Sequence, residues 1–344
     1  MAIIGYGLAG RFFHAPLIAA TEGLEVASVV TADPARRRLL AAEHPRAEAL
    51  GSVQELWDGP PPELVVVAAP NDAHAPLALA AIERGVPVVV DKPLAVGTAE
   101  AEALVARARE AGVPMTVFQN RRWDTDQLTL RRLMAEGALG DVVRYESRFE
   151  RWRPEVDADR WREVTTSEQG GGVLLDLGSH LVDQALVLFG PVTDVYAEIA
   201  ARRGAPADDD VFIALHHAGG AVSHLHASAV TPSPGPRLRV QGTAAAFVAA
   251  ALDPQEAALR AGTRPDAVER WGEPPEWERG RLVAGEQSVP VPAEPGDWPR
   301  FYGLMRDALE LGGPLPVDPQ DAVETLRVLD AARRAARDHT LVKP

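Results

Sequence analysis

Cysteine is missing from this chain, which excludes disulfides, thiolate metal sites and a cysteine nucleophile. A cytoplasmic location accords with that absence. No run approaches the ~20 apolar residues that a membrane helix requires. The opening Met1-Ala2-Ile3-Ile4-Gly5 lacks the basic-then-apolar layout of a signal peptide. It enters a strand at once, and the shortness of that strand predicts a natural start a few residues upstream, or a trimmed one. Positive charge is in deficit: 35 Lys and Arg stand against 49 Asp and Glu, a formal charge of −14. Such a balance repels phosphate backbones and anionic lipid, so neither nucleic acid nor a membrane is expected as a partner. Internal repeats and low-complexity tracts are absent too. What remains is ordinary globular material, 46 % hydrophobic and 24 % charged, with ample apolar content for a core. At roughly 100–200 residues per domain, the 344 residues predict two or three domains.

The first ~120 residues alternate short apolar runs with Ala-rich amphipathic segments. Expected strands are Ala2–Ile4, Leu24–Val30, Leu64–Ala68, Val86–Val90 and Met115–Phe118, with helices at Leu8–Ala20, Pro34–Glu43, Ala73–Arg84 and Thr98–Ala111. Runs such as Leu64-Val65-Val66-Val67-Ala68 carry no polar alternation, as expected of a parallel sheet covered on both faces. The reading is an α/β, doubly wound Rossmann domain over residues 1–119. An α+β domain with a large open, mainly antiparallel sheet is expected over 120–344. It would hold helices at Asp126–Ala135, Leu174–Phe189, Trp298–Leu311 and Gln320–Arg337, a strand near Asp141–Arg151, and hairpins from Val192 to Ala249. Ala218-Gly219-Gly220-Ala221 reads as a two-residue hairpin, and the Pro/Gly-dense stretch Arg264–Pro299 as surface loop.

Gly5-Tyr6-Gly7-Leu8-Ala9-Gly10 is a GxGxxG run between a strand and a helix. Gly5 permits the tight turn, Gly7 admits a pyrophosphate close to the backbone, and Gly10 lets the helix pack on the sheet. An NAD site places a carboxylate about 20 residues further on, at the end of the second strand. That place is Thr31-Ala32 here, and Asp33 reads instead as a helix N-cap before Pro34. Thr31 and the run Arg36, Arg37, Arg38 suit a 2′-phosphate, which favours NADP. NAD stays possible, with the arginines a solvated helix face and Asp33 turned to the ribose.

Two further segments carry chemistry. Asp91-Lys92-Pro93 lies at the carboxyl edge of a strand, where open α/β sheets bind ligands. A lysine there can transfer protons if burial and a neighbouring cation lower its pKa. In Leu174-Leu175-Asp176-Leu177-Gly178-Ser179-His180, Asp176 and His180 share one face of an otherwise apolar helix. A carboxylate beside an imidazole favours the charged imidazole. His216, His217, His224 and His226 do not converge as metal ligands: the expected hairpin sets His224 against Leu215 and His226 against Ile213, with His216 on the other side. No metal is expected. Arg121-Arg122, Arg148, Arg151 and Arg153 suit either an anionic substrate or ion pairing with the many carboxylates.

GYGLAG, Asp91-Lys92-Pro93 and DLGSH together resemble the Gfo/Idh/MocA oxidoreductase family. Phe118-Gln119-Asn120-Arg121-Arg122-Trp123-Asp124, Arg151-Trp152-Arg153-Pro154-Glu155-Val156 and Gly178-Ser179-His180-Leu181-Val182-Asp183-Gln184 resemble its NADP-dependent scyllo-inositol dehydrogenase branch, as do Ala257–Gly262 and Leu315-Pro316-Val317. The resemblance implies Lys92, Asp176 and His180 as the catalytic set, and from the arginines above Arg121 and Arg153 are expected beside the substrate. It places Pro70, Asn71, His74, Asp91, Asn120, Arg121 and Trp161 along the dinucleotide, together with the Gly5–Gly10 loop, Thr31, Ala32 and Arg36. The family usually has Glu before the lysine, and Asp91 is one methylene shorter. The implied activity is reversible oxidation of a hydroxyl-bearing carbon on a small polyol or sugar, scyllo-inositol first among them. Another sugar dehydrogenase, a transient nicotinamide cycle that breaks a glycosidic bond, and a non-catalytic dinucleotide sensor are the alternatives. A homodimer or homotetramer through the C-terminal sheet is expected by the same likeness.

Overall fold

The computed structural model describes all 344 residues. Six short strands form one parallel sheet: β1 (Ala2–Ile4), β2 (Ser28–Val30), β3 (Glu48–Leu50), β4 (Val65–Val67), β5 (Val88–Asp91) and β6 (Met115–Phe118), in the order β3-β2-β1-β4-β5-β6. Because alternate residues of a strand face opposite ways, the Val/Ile runs feed two separate cores. Ile4, Val65, Val67, Val88 and Val90 enter one apolar cluster, while Ile3, Val29, Val66 and Val89 enter another on the other face. Helices cover both faces, which explains the lack of polar alternation. Asp33 caps the helix Pro34–Glu43 through its side chain, as the sequence indicates. β3 and the helix Val53–Asp58 are additions to the expected list.

Eight strands form the second sheet: β7 (Val142–Glu150), β8 (Val192–Ala200), β9 (Asp210–His217), β10 (Val222–Ser228), β11 (Leu238–Gly242), β12 (Ala246–Ala249), β13 (Arg281–Ala284) and β14 (Gln287–Pro290). Their order is β14-β13-β12-β11-β7-β10-β9-β8, antiparallel throughout except for the parallel pair β7–β10. Two expectations are corrected here. The stretch Arg264–Pro299 contains the β13–β14 hairpin, turned at Gly285 with φ +58°, and so extends the sheet edge. The β9–β10 loop has three residues, because Gly220 takes φ +89° and its amide closes on His217 O. That one-residue difference sets Val222 opposite His216, His224 opposite Ala214 and His226 opposite Phe212. His216, His224 and His226 therefore share a face, while His217 turns inward to Gly190 O (3.0 Å) and Ser223 Oγ (2.8 Å).

The two sheets share their cores. The first cluster runs from β1, β4 and β5 into Tyr145, Phe149, the helix Ser179–Phe189 and the final helix Pro319–Asp338. On the other face, Phe118 of β6 meets Phe301 at 4.9 Å between ring centroids, and Trp298, Tyr302 and Met305 fill the same cluster. Asp330 of the final helix accepts hydrogen bonds from Thr98 N (3.0 Å) and Thr98 Oγ1 (2.6 Å). It caps the helix Thr98–Ala111, whose own N-cap residue Gly97 has no side chain to do so.

Candidate active site

The carboxyl edge of the parallel sheet carries the Gly5–Gly10 loop. Gly5 sits at φ +103°, and a Cβ there would overlap the Ala68 carbonyl. A Cβ on Gly10 would overlap the Gly5 oxygen, so the absence of a side chain lets loop and helix meet. Gly7 is different: the nearest heavy atom to its added Cβ is Arg36 Nη1, 3.9 Å away, so its face is open. The helix that follows starts as a wide π-type turn, Gly10–His14, and continues as Ala15–Ala19. Open glycine backbone at a helix start is what a pyrophosphate requires, and the residues present fit a dinucleotide. Leu8 and Ala9 lie at the outer rim, with Leu8 42 % exposed. The Tyr6 side chain is excluded from that surface. It is buried and donates to Glu43 Oε2 (2.8 Å), so only its backbone is available to a ligand.

At the end of β2, Thr31 is buried and Ala32 is exposed. Asp33 Oδ1 accepts the amides of Ala35 (2.8 Å) and Arg36 (3.4 Å), so the nearest carboxylate is engaged as a cap. Arg37 is pinned to Thr31 O (2.9 Å), while Arg36 reaches from the same helix towards Gly7.

Beyond β4, Asn71 donates to Gly170 O (2.8 Å), tying the first domain to the glycine-rich loop of the second. Pro70 is exposed beside it. His74, expected along the dinucleotide, is 0 % exposed, with Nδ1 at Pro93 O (2.7 Å) and Nε2 at Ala69 O (2.9 Å). Burial holds its pKa below the ordinary imidazole value. It fixes the turn after Lys92 from beneath and has no surface to offer a ligand.

Lys92 ends β5's turn at a cis Lys92–Pro93 peptide. Its Nζ donates to Asp176 O (2.7 Å) and Oδ1 (2.9 Å). Arg162 Nε also reaches Asp176 Oδ1, at 3.2 Å. Burial alone would raise the Asp176 pKa, but Lys92, Arg162 and Arg151 hold it far below the usual carboxylate range. Asp176 lies on a second π-type turn, Leu174–Gly178, immediately before the helix Ser179–Phe189 that carries His180. Such turns recur at functional sites because the widened backbone re-aims a side chain.

The expected Asp176–His180 partnership is corrected. The carboxylate turns to Lys92 and Arg162, and His180 Nδ1 is buried without a hydrogen-bond partner. Burial, then Lys92 and Arg121, push the His180 pKa well below the ordinary imidazole value, and Asp176 only partly opposes them. This environment favours the neutral imidazole at His180.

Asn120 and Arg121 follow β6 in a short 3-10 turn, Asn120–Trp123. Both are buried. Arg121 pairs with Glu256 (2.6 Å) and Asp124 (3.3 Å) and stacks on Phe149 (4.8 Å) and Trp298 (5.6 Å). Its charge is neutralised within the protein, which corrects its assignment as a ligand for an anionic substrate. Trp161 is half-buried on the short helix Trp161–Val164, with Arg162 over its ring at 4.4 Å. Arg153 is exposed.

Sequence reasoning missed two neighbours and one signal. Arg162 holds the Asp176 carboxylate. His14 is fully buried, with Nδ1 2.6 Å from Tyr302 Oη and Nε2 3.7 Å from Asp91 Oδ1, and Asp91 in turn accepts the Lys92 amide (2.9 Å). Burial would raise the Asp91 pKa, yet His14, Lys92 and His74 keep it below the usual value. The overlooked signal is compositional: of 35 basic residues only Lys92 and Lys343 are lysines. Arginine serves everywhere else, and a guanidinium cannot release a proton near neutral pH.

A phosphate-type glycine loop and a half-buried Lys92–Asp176 pair near the buried His180, at the edge of a parallel sheet, mark a two-domain oxidoreductase with an NAD-binding Rossmann fold. The chain belongs to the Gfo/Idh/MocA family: residues 1–119 match the oxidoreductase family model with an NAD-binding Rossmann fold, and residues 127–248 match the GFO/IDH/MocA C-terminal domain. It is 38 % identical over 341 residues to the uncharacterized oxidoreductase YdgJ of Escherichia coli, covering 98 % of this chain and 96 % of that one. It is 33 % identical over 343 residues to the scyllo-inositol 2-dehydrogenase (NADP(+)) IolW of Bacillus subtilis, covering 98 % and 94 %. The solved structure of yvaA from Bacillus subtilis superposes with a TM-score of 0.91 at 32 % identity, covering 100 % of this chain and 99 % of that chain. No helix of the protein is long and apolar enough to cross a membrane.

Proposed function

We propose that the protein is an NADP-dependent dehydrogenase that oxidises a ring CH–OH of a cyclic polyol or sugar reversibly, with scyllo-inositol to its keto-inositol as the leading reaction. The observation that carries this reading is the pairing of Lys92 Nζ with Asp176 (2.9 Å), with His180 buried one helical turn on from Asp176. His180 takes the hydroxyl proton, and Lys92, held in place by Asp176 and Arg162, donates a hydrogen bond to the same oxygen as it becomes a carbonyl. The nicotinamide, when bound, accepts the carbon-bound hydride. NADP preference rests on Asp33 being engaged as a helix cap while Arg36 reaches towards Gly7. A relative named as an NADP(+)-dependent scyllo-inositol dehydrogenase, 33 % identical over 98 % of this chain, supports substrate and cofactor together. A cytoplasmic location belongs to the same reading.

Nicotinamide absorbance with scyllo-inositol, offered with NADP and NAD in separate assays, tests it. Faster turnover with NADP is the expected result. A preference for NAD would overturn the role given to Arg36, and silence with both would overturn the polyol. A homo-oligomer through the outer face of the eight-stranded sheet is part of the proposal. That face presents Phe212 with the His226 ring tilted against it at 4.9 Å. Light scattering of the purified protein should give a multiple of the 36.8 kDa chain, and a monomer would refute it.

A further inference from the structure

Five arginines suit an anionic substrate by sequence, and the fold divides them. Arg121 is neutralised by Glu256 and Asp124, Arg122 by Asp183 (2.6 Å) and Asp321 (3.0 Å), and Arg148 by Glu146 (3.0 Å). Arg151 and Arg153 pair with no carboxylate. Their acidic neighbours are already held, Glu163 by Arg203 (2.8 Å) and Glu256 by Arg121 (2.6 Å).

Both free residues lie where β7 runs past its last rung. The Arg151 amide donates to Ser228 O (2.8 Å), Thr231 N donates to Arg151 O (3.0 Å), and the Arg153 amide donates to Ala229 O (2.7 Å). Strand alternation puts residue 151 on the side of Phe149, whose ring lies 6.3 Å from that of His180. The Arg151 charge acts on the catalytic Asp176 and on Glu256, helping to hold both below the usual carboxylate range after Lys92 and Arg162, and after Arg121 and Arg260. Arg153 is exposed, and its partial desolvation followed by the charges of Arg151, Arg160 and Arg260 lowers its pKa, with Glu163 opposing them. Arg260 lies 5.8 Å from the ring of Phe13, on the helix of the glycine loop. Two guanidiniums without a carboxylate partner thus lie two residues apart where β7 runs on past its last rung, the first on the side of Phe149 and His180, in a protein whose formal charge is −14.

We propose that Arg151 and Arg153 form a subsite for an oxyanion, a phosphate or carboxylate carried by the polyol or sugar, so that an acidic polyol is preferred to a neutral one. This rests on the proposed dehydrogenase reading and adds a charged substituent to its substrate. Guanidiniums suit such groups because their planar donors bind two oxygens at once.

Titration calorimetry on the NADPH-loaded protein, in which no alcohol can be oxidised, tests the subsite without turnover. The probes are myo-inositol 1-phosphate, glucuronate and scyllo-inositol, each against the native protein and against R151Q, R153Q and R151K. An anionic probe should bind about tenfold or more tightly than scyllo-inositol, the scale of one charge-assisted hydrogen bond. R151Q and R153Q should remove that margin by weakening the anionic probes far more than scyllo-inositol, and R151K should keep part of it. Equal binding of charged and neutral probes overturns the subsite. Weakened NADP binding in R151Q and R153Q, with the probes unaffected, overturns it too by assigning the arginines to the cofactor's phosphates. Anion binding without nicotinamide reduction by any probe would leave the subsite standing and sink the dehydrogenase reading instead.

Discussion

Gly7 and Gly10 stand three residues apart in one loop, yet replacing each with alanine should fail in opposite ways. At Gly10 the new Cβ would overlap the Gly5 oxygen and stand 3.0 Å from the Gly5 carbon. Backbone cannot swing aside as a side-chain tip can, so the helix must lift from the loop. Overpacking of this kind costs about 1–3 kcal/mol. At Gly7 the nearest atom is the tip of Arg36, 3.9 Å away, and the backbone is not in the left-handed region. Gly7→Ala should therefore fold as well as the native chain, or gain up to about 1 kcal/mol from a stiffer unfolded state. Its methyl group fills the space through which a pyrophosphate approaches. Losing one charge-assisted hydrogen bond there is worth about 1.5–3 kcal/mol, so NADP affinity should fall by about tenfold to a hundredfold. Urea titration and quenching of intrinsic fluorescence by NADP measure the two quantities separately. Native affinity in Gly7→Ala, or native stability in Gly10→Ala, would refute the assignment of one glycine to the ligand and the other to packing.

Three further outcomes follow from the geometry. Lys92→Arg should lower turnover by about 10²–10⁴ with dinucleotide binding retained. The acid limb of log kcat/KM in the oxidation direction should lie below the ordinary imidazole value of 6.5, because the His180 pKa is lowered and the neutral form persists as pH falls. Asp176→Asn removes the charge that opposes this lowering and should move the limb further down; a limb at or above 6.5 contradicts the assignment. Asp330→Ala removes the cap of the helix Thr98–Ala111 and should cost about 1–2 kcal/mol in a urea midpoint at pH 7, with the KM for substrate unchanged.

Much of the parallel domain was legible because its signals are local. Asp33 before Pro34 starts one helix, Gly112 at φ +66° ends another, and both helices, Pro34–Glu43 and Thr98–Ala111, lie where the pattern places them. β3 was not legible: Glu48-Ala49-Leu50 is a three-residue edge with two exposed positions and no apolar run. The β13–β14 hairpin hid for the same reason, its second strand being exposed along its whole length. The pair Gly219-Gly220 admits loops of two or three residues, and only the φ of Gly220 decides between them. At the site, Asp91-Lys92-Pro93 could be found from its place at a strand end. The protonation of His180 could not, since its i−4 neighbour Asp176 is visible in sequence whereas Lys92 and Arg121 arrive from other elements. His14 and Arg162 act through partners 77 and 14 residues away, at Asp91 and Asp176, beyond the reach of any local pattern.

The shared cores have a consequence for how the chain is made. A ribosome releases residues 1–119 long before Trp298, Phe301 and Tyr302 exist, yet those side chains complete one face of the first sheet. The cap on the helix at Thr98 waits longer still, until Asp330 has been added. N-terminal domains commonly fold during synthesis, but this one emerges with an apolar face uncovered and a helix start unsealed. Until the last helix docks, the nascent chain presents that face to its surroundings, so the finishing of the nucleotide-binding half is a late event in translation.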